Sequence, residues 1–82
     1  MKFTTYIIFS KSLQKHYTGS TGQDFDNRLY QHNLNHKGFT GKANDWMAIF
    51  KIEFSTVTEA RSMEKKIKKR GAKRFLNNLQ LF

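Results

Sequence analysis

The chain has no cysteine, no proline and no apolar run near the length that a bilayer requires. The first absence excludes disulfides and any zinc or redox centre built on thiolates. With no proline, no repeat, no low-complexity tract and no linker, the 82 residues read as a single domain spanning residues 1–82. A domain of this length buries only about 60% of the surface its unfolded chain exposes, so modest stability is expected. The start, Met-Lys-Phe-Thr-Thr, lacks the apolar core of a signal peptide, and no stretch of ~20 apolar residues is present to span a membrane. The expectation is a soluble, cytoplasmic protein with no membrane partner. His16, His32 and His36 are too scattered to form a metal-ligand pattern. Acidic residues are also scarce: six Asp and Glu face fifteen Lys and Arg, a net charge of +9. A field of that sign favours a polyanion, most often nucleic acid, because phosphate contacts release counterions.

Phe3 to Phe9 reads as a strand, with Phe3, Thr5, Ile7 and Phe9 on one face and Thr4, Tyr6 and Ile8 on the other. A loop over Ser10 to Lys15 and a second strand at about His16 to Ser20 complete an antiparallel hairpin. Phe25, Leu29 and His32 then recur at helical spacing behind capping residue types, which predicts a helix over Asp24 to Asn33. Asn33 to Asp45 carries Gly38 and Gly41 without periodicity and reads as a polar loop. In Trp46 to Phe54, Trp46, Ala48, Phe50, Ile52 and Phe54 alternate with Met47, Ile49, Lys51 and Glu53, the period of a strand. Its second face is also largely apolar, so this strand is expected to be central. Thr56-Val57-Thr58-Glu59 fits a capping box opening a helix to about Arg70, with Gly71 as its C′ residue. The tail from Ala72 to Phe82 suits either a short helix or an extended segment. The fold class is α+β: a small, three-stranded, mostly antiparallel sheet flanked by helices, in the order β-β-α-β-α plus a C-terminal tail.

On a wheel of the last helix, Ala60, Met63, Ile67 and Gly71 form one stripe, and Glu64 lies beside it. Arg61, Lys65, Lys66, Lys68 and Lys69 fill the opposite arc. The plain reading of Glu64 is an ion pair with a lysine one turn on, such as Lys68. The other reading is a functional carboxylate at the edge of a cationic surface. Arg28 and His32 likewise share a face of the first helix. Each taken singly is commonly an arginine lying over apolar surface and a hydrogen-bonded core histidine.

The ordered set Tyr6, Tyr17-Thr18-Gly19, Asn27-Arg28-Leu29-x-x-His32-Asn33, Trp46 and Met63-Glu64-Lys65-Lys66-Ile67-Lys68-Lys69 resembles the GIY-YIG nucleases, in particular their small stand-alone members. Thr4-Thr5-Tyr6 stands for the first triplet and Tyr17-Thr18-Gly19 for the second, with ten residues between the tyrosines. The likeness runs from Phe3 to about Lys73. Two departures are visible: the first triplet lacks its glycine and isoleucine, and Thr18 replaces the isoleucine of the second. Thr4 thereby brings a Cβ where the family often has none.

The resemblance implies a metal-dependent endonuclease that hydrolyses phosphodiester bonds in DNA, in repair or recombination, with RNA left open as another polyanion. It implies that Glu64 holds one Mg²⁺ or Mn²⁺, a hard cation whose shell water and substrate phosphate complete. Arg28 would clamp phosphate oxygens. Tyr6 would act as, or orient, the general base on water, with surrounding cations favouring phenolate. Tyr17 would position water or phosphate, and His32 would share or relay the proton. Lys37, Lys42, Lys65, Lys66, Lys68, Lys69, Lys73 and Arg74 would hold the nucleic-acid backbone without reading sequence. No separate recognition element remains, so cleavage is expected to be structure-selective or weakly sequence-specific, or directed by a protein partner. The alternative is a non-catalytic nucleic-acid-binding module on the same scaffold.

Overall fold

In a computed structural model, which describes residues 2–34 and 38–79, the elements follow the order β-β-α-β-α-α. Strand β1 (Phe3–Ser10) pairs antiparallel with β2 (Lys15–Thr21) on one side and β3 (Trp46–Phe54) on the other. The sheet order is therefore β2-β1-β3. This corrects the expected place of the third strand: β1 is central and β3 is an edge. The reason lies in which polar side chains are satisfied. The threonines of β1 are small enough to be buried on both faces, and Thr5, fully buried, donates to the Ala60 carbonyl at 2.7 Å. In β3, by contrast, Met47 and Ile52 remain exposed.

The simple alternation of β3 also breaks. Phe50 lies opposite Ile7, but Ala48 lies opposite Ile8, so Ile49 is the extra residue of a bulge. Directly paired residues share a face, so this insertion exchanges the two faces of β3 partway along. Trp46 consequently packs with Tyr6, Ile8 and Phe25, whereas Phe50 and Ile49 pack with Ile7 on the opposite side. Without the bulge, Trp46 and Phe50 would occupy the same side.

Helix α1 (Phe25–His32) covers the Tyr6 face, and its start is fixed by Asp24, whose carboxylate accepts from Asn27 N at 3.2 Å. Helix α2 (Val57–Arg70) covers the other face, capped where Thr56 Oγ1 accepts from Glu59 N at 3.2 Å. Ala60 and Ile67 are its buried residues, as the apolar stripe requires. Gly71, at φ 93°, ends α2 in a conformation that side-chain-bearing residues rarely adopt and passes the chain into α3 (Ala72–Asn78). The tail is thus helical as far as Asn78, because Phe75 and Leu76 bury against Ile7 and Ile67. Truncating Ile7 or Ile67 to alanine would cost roughly 2–5 kcal/mol, since each is completely buried.

Two short connections complete the frame. Asp45 receives Ser10 Oγ at 2.6 Å, Ser12 N at 2.8 Å and Ser12 Oγ at 3.1 Å, locking the β1–β2 turn to the start of β3. The loop after α1 contains a 3₁₀ turn at Phe39–Lys42. Asn33, at the C-terminus of α1, accepts from Trp46 N at 2.8 Å and donates to Trp46 O at 3.1 Å, so helix and strand are tied by one amide.

Candidate active site

The Tyr6 phenol lies between β1 and α1 with 1% of its surface exposed. Its Oη is 2.7 Å from His32 Nε2, and His32 Nδ1 is 2.8 Å from Thr40 Oγ1. With the imidazole neutral and its proton on Nδ1, Tyr6 donates to His32 and His32 donates to Thr40, which joins the three side chains in one hydrogen-bonded chain. Thr40 is in turn held in place by its backbone, whose carbonyl accepts Trp46 Nε1–H at 2.8 Å. This single indole bond explains why the tryptophan opens β3: its ring fills the Tyr6 core while its N–H fixes the 3₁₀ turn.

Gly19 is paired with Tyr6 across the strands, and a Cβ at that position would stand 2.7 Å from Tyr6 Oη and 2.9 Å from Cζ. The glycine of Tyr17-Thr18-Gly19 is therefore a steric necessity imposed by the Tyr6 ring. Thr5, where the family pattern has isoleucine, uses its hydroxyl to bind α2. Thr4 is buried on the Tyr6 face, near Glu53 and the start of α1, and does not line the cleft beside Tyr17.

Burial raises the Tyr6 pKa to about 12. Hydrogen bonding and positive charge from Arg28 pull it down, while the Tyr17 phenol and the Glu64 carboxylate add to the rise. Desolvation wins, so the phenol keeps its proton at neutral pH. The expected cationic support for phenolate is present in Arg28, but it does not overcome the loss of water.

Tyr17 is half-buried, its ring 5.0 Å from that of His32 and nearly parallel to Phe39 at 6.1 Å. Arg28 is half-buried at the mouth of the same cleft, where Nη1 donates to Gln31 Oε1 at 3.0 Å. Tyr6, Tyr17, Arg28 and His32 thus gather on the α1 side of the sheet. Glu64 approaches this group from the other face of the sheet, near enough for its charge to act on the Tyr6 phenol. It projects from α2, on the opposite side, and reaches the edge strand through Ser20 Oγ, which donates to Oε1 at 2.6 Å. Its other oxygen pairs with Lys68 Nζ at 2.7 Å, so the plain ion pair anticipated for this residue is present. Burial alone would raise the Glu64 pKa, but the hydrogen bonds from Lys68 and Ser20 and the charges of Lys68 and Arg61 outweigh it and hold the carboxylate below its ordinary range. The candidate site accordingly wraps around the β2 edge, with Glu64 on one side, Tyr6 on the other and Tyr17 lining the clefts on both.

On the Glu64 side the edge opens into a cleft of about 900 Å³, lined by His16, Tyr17, Lys68, Arg70, Lys73 and Arg74 among others. Lys65, Lys66 and Lys69 are exposed along α2, away from the apolar stripe. Lys42 lies with its ammonium 5.7 Å from the centre of the Phe39 ring. Lys37 is outside the described residues. Three contributors were not anticipated from the sequence. Ser20 follows Tyr17-Thr18-Gly19 directly, Thr40 sits between the glycines of Gly38-Phe39-Thr40-Gly41, and Gln31 precedes His32. Only the two glycines around Thr40 offered a signal, as marks of a tight turn.

Among the described residues, no group of three or more His, Cys, Asp or Glu side chains is placed to hold a metal ion, and no helix is long and apolar enough to cross a membrane. The model of the GIY-YIG catalytic domain matches residues 2–78. No curated protein and no solved structure matches the chain.

Proposed function

Because the chain belongs to the GIY-YIG family of nucleases, we propose that it is a metal-dependent endonuclease that hydrolyses phosphodiester bonds in DNA, with structure-selective or weakly sequence-specific action. The observation that carries this reading is the meeting of the Tyr6–His32 pair, Tyr17 and Arg28 at one cleft, with Glu64 facing them across the edge of β2.

Glu64 suits a hard divalent cation: it is an ionised carboxylate, only 21% exposed, and anchored from behind by Ser20. One carboxylate with waters and phosphate oxygens is the usual protein share for Mg²⁺, which fits a site without a multi-carboxylate cage. When bound, Mg²⁺ or Mn²⁺ supplies positive charge to the phosphate and the departing oxygen. The protein's own groups do the rest. Arg28 presents a planar guanidinium at the mouth of the cleft, suited to two oxygens of one phosphate. Tyr17, the more accessible phenol, orients water or phosphate. Tyr6 remains protonated and acts as a relay, accepting a proton only as its own moves to His32 Nε2. His32 is held by Thr40 in the orientation this transfer needs. The lysines and arginines of α2 and α3 retain the backbone by charge, which carries no sequence information.

A second reading, a nucleic-acid-binding module without turnover, is favoured by one feature: both Glu64 oxygens are already engaged, one by Ser20 and one by Lys68. Incubation of the protein with branched, single-stranded and duplex DNA, with Mg²⁺ or Mn²⁺ and with chelator, separates the two. The nuclease reading expects metal-dependent nicks that disappear in Glu64→Gln. Cutting by Glu64→Gln at the wild-type rate would overturn the site, and salt-sensitive binding without cutting would establish the second reading.

A further inference from the structure

Phe39 is an aromatic residue kept at the surface beside the cleft, and the proposed chemistry does not use it. The residue is 40% exposed although its ring lies nearly parallel to that of Tyr17 at 6.1 Å and tilted against that of Trp46 at 6.0 Å. Leu34 beside it is 43% exposed. Together with Tyr17, Arg28, Gln31 and His32 they border a cleft of about 470 Å³. The buried His32 and Thr40 side chains lie at its base, and the exposed Phe39 and Leu34 give it apolar surface beside Arg28 and Gln31, a mix of apolar and polar groups that a flat, polar-edged ligand requires. The exposed Lys42 holds its ammonium 5.7 Å from the centre of the Phe39 ring, where an incoming base takes its place, and Arg28 lines the cleft. An exposed aromatic ring with cations close by suits a nucleotide whose base lies on the ring and whose phosphates meet the charges.

Resting on the reading of the chain as a DNA nuclease, we infer that the Phe39 cleft is a nucleobase subsite, in which an unpaired base of a DNA strand stacks on Phe39 next to the scissile phosphate. Stacking needs a free π-face, which a base inside a duplex does not offer. Gln31 is engaged by Arg28 and Gln23, and Arg28 serves the phosphate, so the stack needs no hydrogen bond to a base edge and favours no base over another. Tyr17 lines both this cleft and the larger cationic cleft near α3, so one strand can cross the β2 edge with its base on one side and its phosphates on the other. The subsite therefore selects for single-stranded or locally unpaired DNA by shape, whatever its sequence.

The test uses the full chain carrying Glu64→Gln, without metal, so that binding is read apart from cutting. The probe is a single-stranded DNA of about 12 nucleotides with one central 2-aminopurine, beside a duplex of the same sequence. Stacking predicts quenching of the 2-aminopurine on binding. Phe39→Ala should weaken single-strand binding roughly 5- to 150-fold, the range for losing one aromatic–base stack, and leave duplex binding unchanged. Phe39→Trp should retain single-strand affinity. Phe39→Leu, which fills the space without a π-face and guards against a folding defect, should lose it. The inference is overturned if Phe39→Ala binds the single strand as tightly as its parent, if single-strand and duplex binding fall together, or if Phe39→Leu binds like phenylalanine. Normal quenching with no metal-dependent cutting by the wild-type chain would remove the nuclease reading and leave the subsite standing. Normal cutting with an unaffected Phe39→Ala would do the reverse.

Discussion

Gly19→Ala tests the packing of the candidate site most directly, because the added methyl meets the Tyr6 hydroxyl that bonds to His32. Its Cβ would stand 2.7 Å from Tyr6 Oη and 2.9 Å from Tyr6 Cζ, closer than real Cβ contacts. The ring cannot simply swing away: it is 1% exposed, packed 5.2 Å from the Phe25 ring and hydrogen-bonded to His32. Overpacking of this kind costs about 1–3 kcal/mol. Gly19 has no positive φ, so alanine suits the backbone and recovers about 0.4–1 kcal/mol from the unfolded chain. The net is a destabilisation on the order of 1–2 kcal/mol, and at about 4–8 °C per kcal/mol the melting temperature should fall by roughly 10 °C. Thermal unfolding by circular dichroism measures it. The same substitution made in Tyr6→Phe, where the Oη atom is gone, should cost about half as much, a coupling expected only between groups in contact. An unchanged melting temperature in Gly19→Ala, or an equal cost with and without the Tyr6 hydroxyl, would refute the argument that the glycine exists to admit this phenol.

Other consequences are equally specific. Tyr6→Phe removes a buried donor to His32 and should destabilise by about 1–3 kcal/mol, measured by denaturant unfolding. The folded pKa of Tyr6 lies above its unfolded value, so its contribution to stability is complete below pH ~10 and lost as pH rises through about 12; an absorbance titration that ionises this phenol at pH ~10 would contradict its burial. Glu64 has the opposite sign. Its folded pKa is depressed, so its contribution is present above the unfolded value near ~4.3 and disappears as pH falls through the folded one. Lys68→Met should raise the Glu64 pKa in an NMR titration and move that loss to higher pH, while Asp45, depressed mainly by Ser10, should titrate unchanged. In nuclease assays Ser20→Ala should raise the metal concentration needed for half-maximal cutting, and calorimetric titration with Mn²⁺ should show the same weakening.

Much of this molecule follows from local sequence. The alternation in β1, the Asp24 and Thr56 caps, the stripe Ala60–Met63–Ile67 and the breaking glycine at 71 each act within a few residues, and helices and strands obey them. The ordered tyrosines, arginine, histidine and glutamate identify the family by the same token, since spacing along the chain is preserved whether or not contacts are known. Strand order was not legible, because an apolar second face on β3 looks the same whether another strand or only a helix covers it. The bulge at Ile49 was invisible for a related reason: one extra residue leaves the alternation of letters intact and changes only what faces what. The contacts Tyr6–His32–Thr40 and Ser20–Glu64 join residues brought together by pairing and helix docking, over sequence separations of up to 44 residues, whereas the Glu64–Lys68 pair, one helical turn apart, was legible. Residue type and spacing determined which family residues this protein carries; only tertiary packing decided that burial keeps the Tyr6 phenol protonated well above its ordinary range and that the Glu64 carboxylate comes from the other face of the sheet, because desolvation and through-space charge depend on neighbours that no single segment contains.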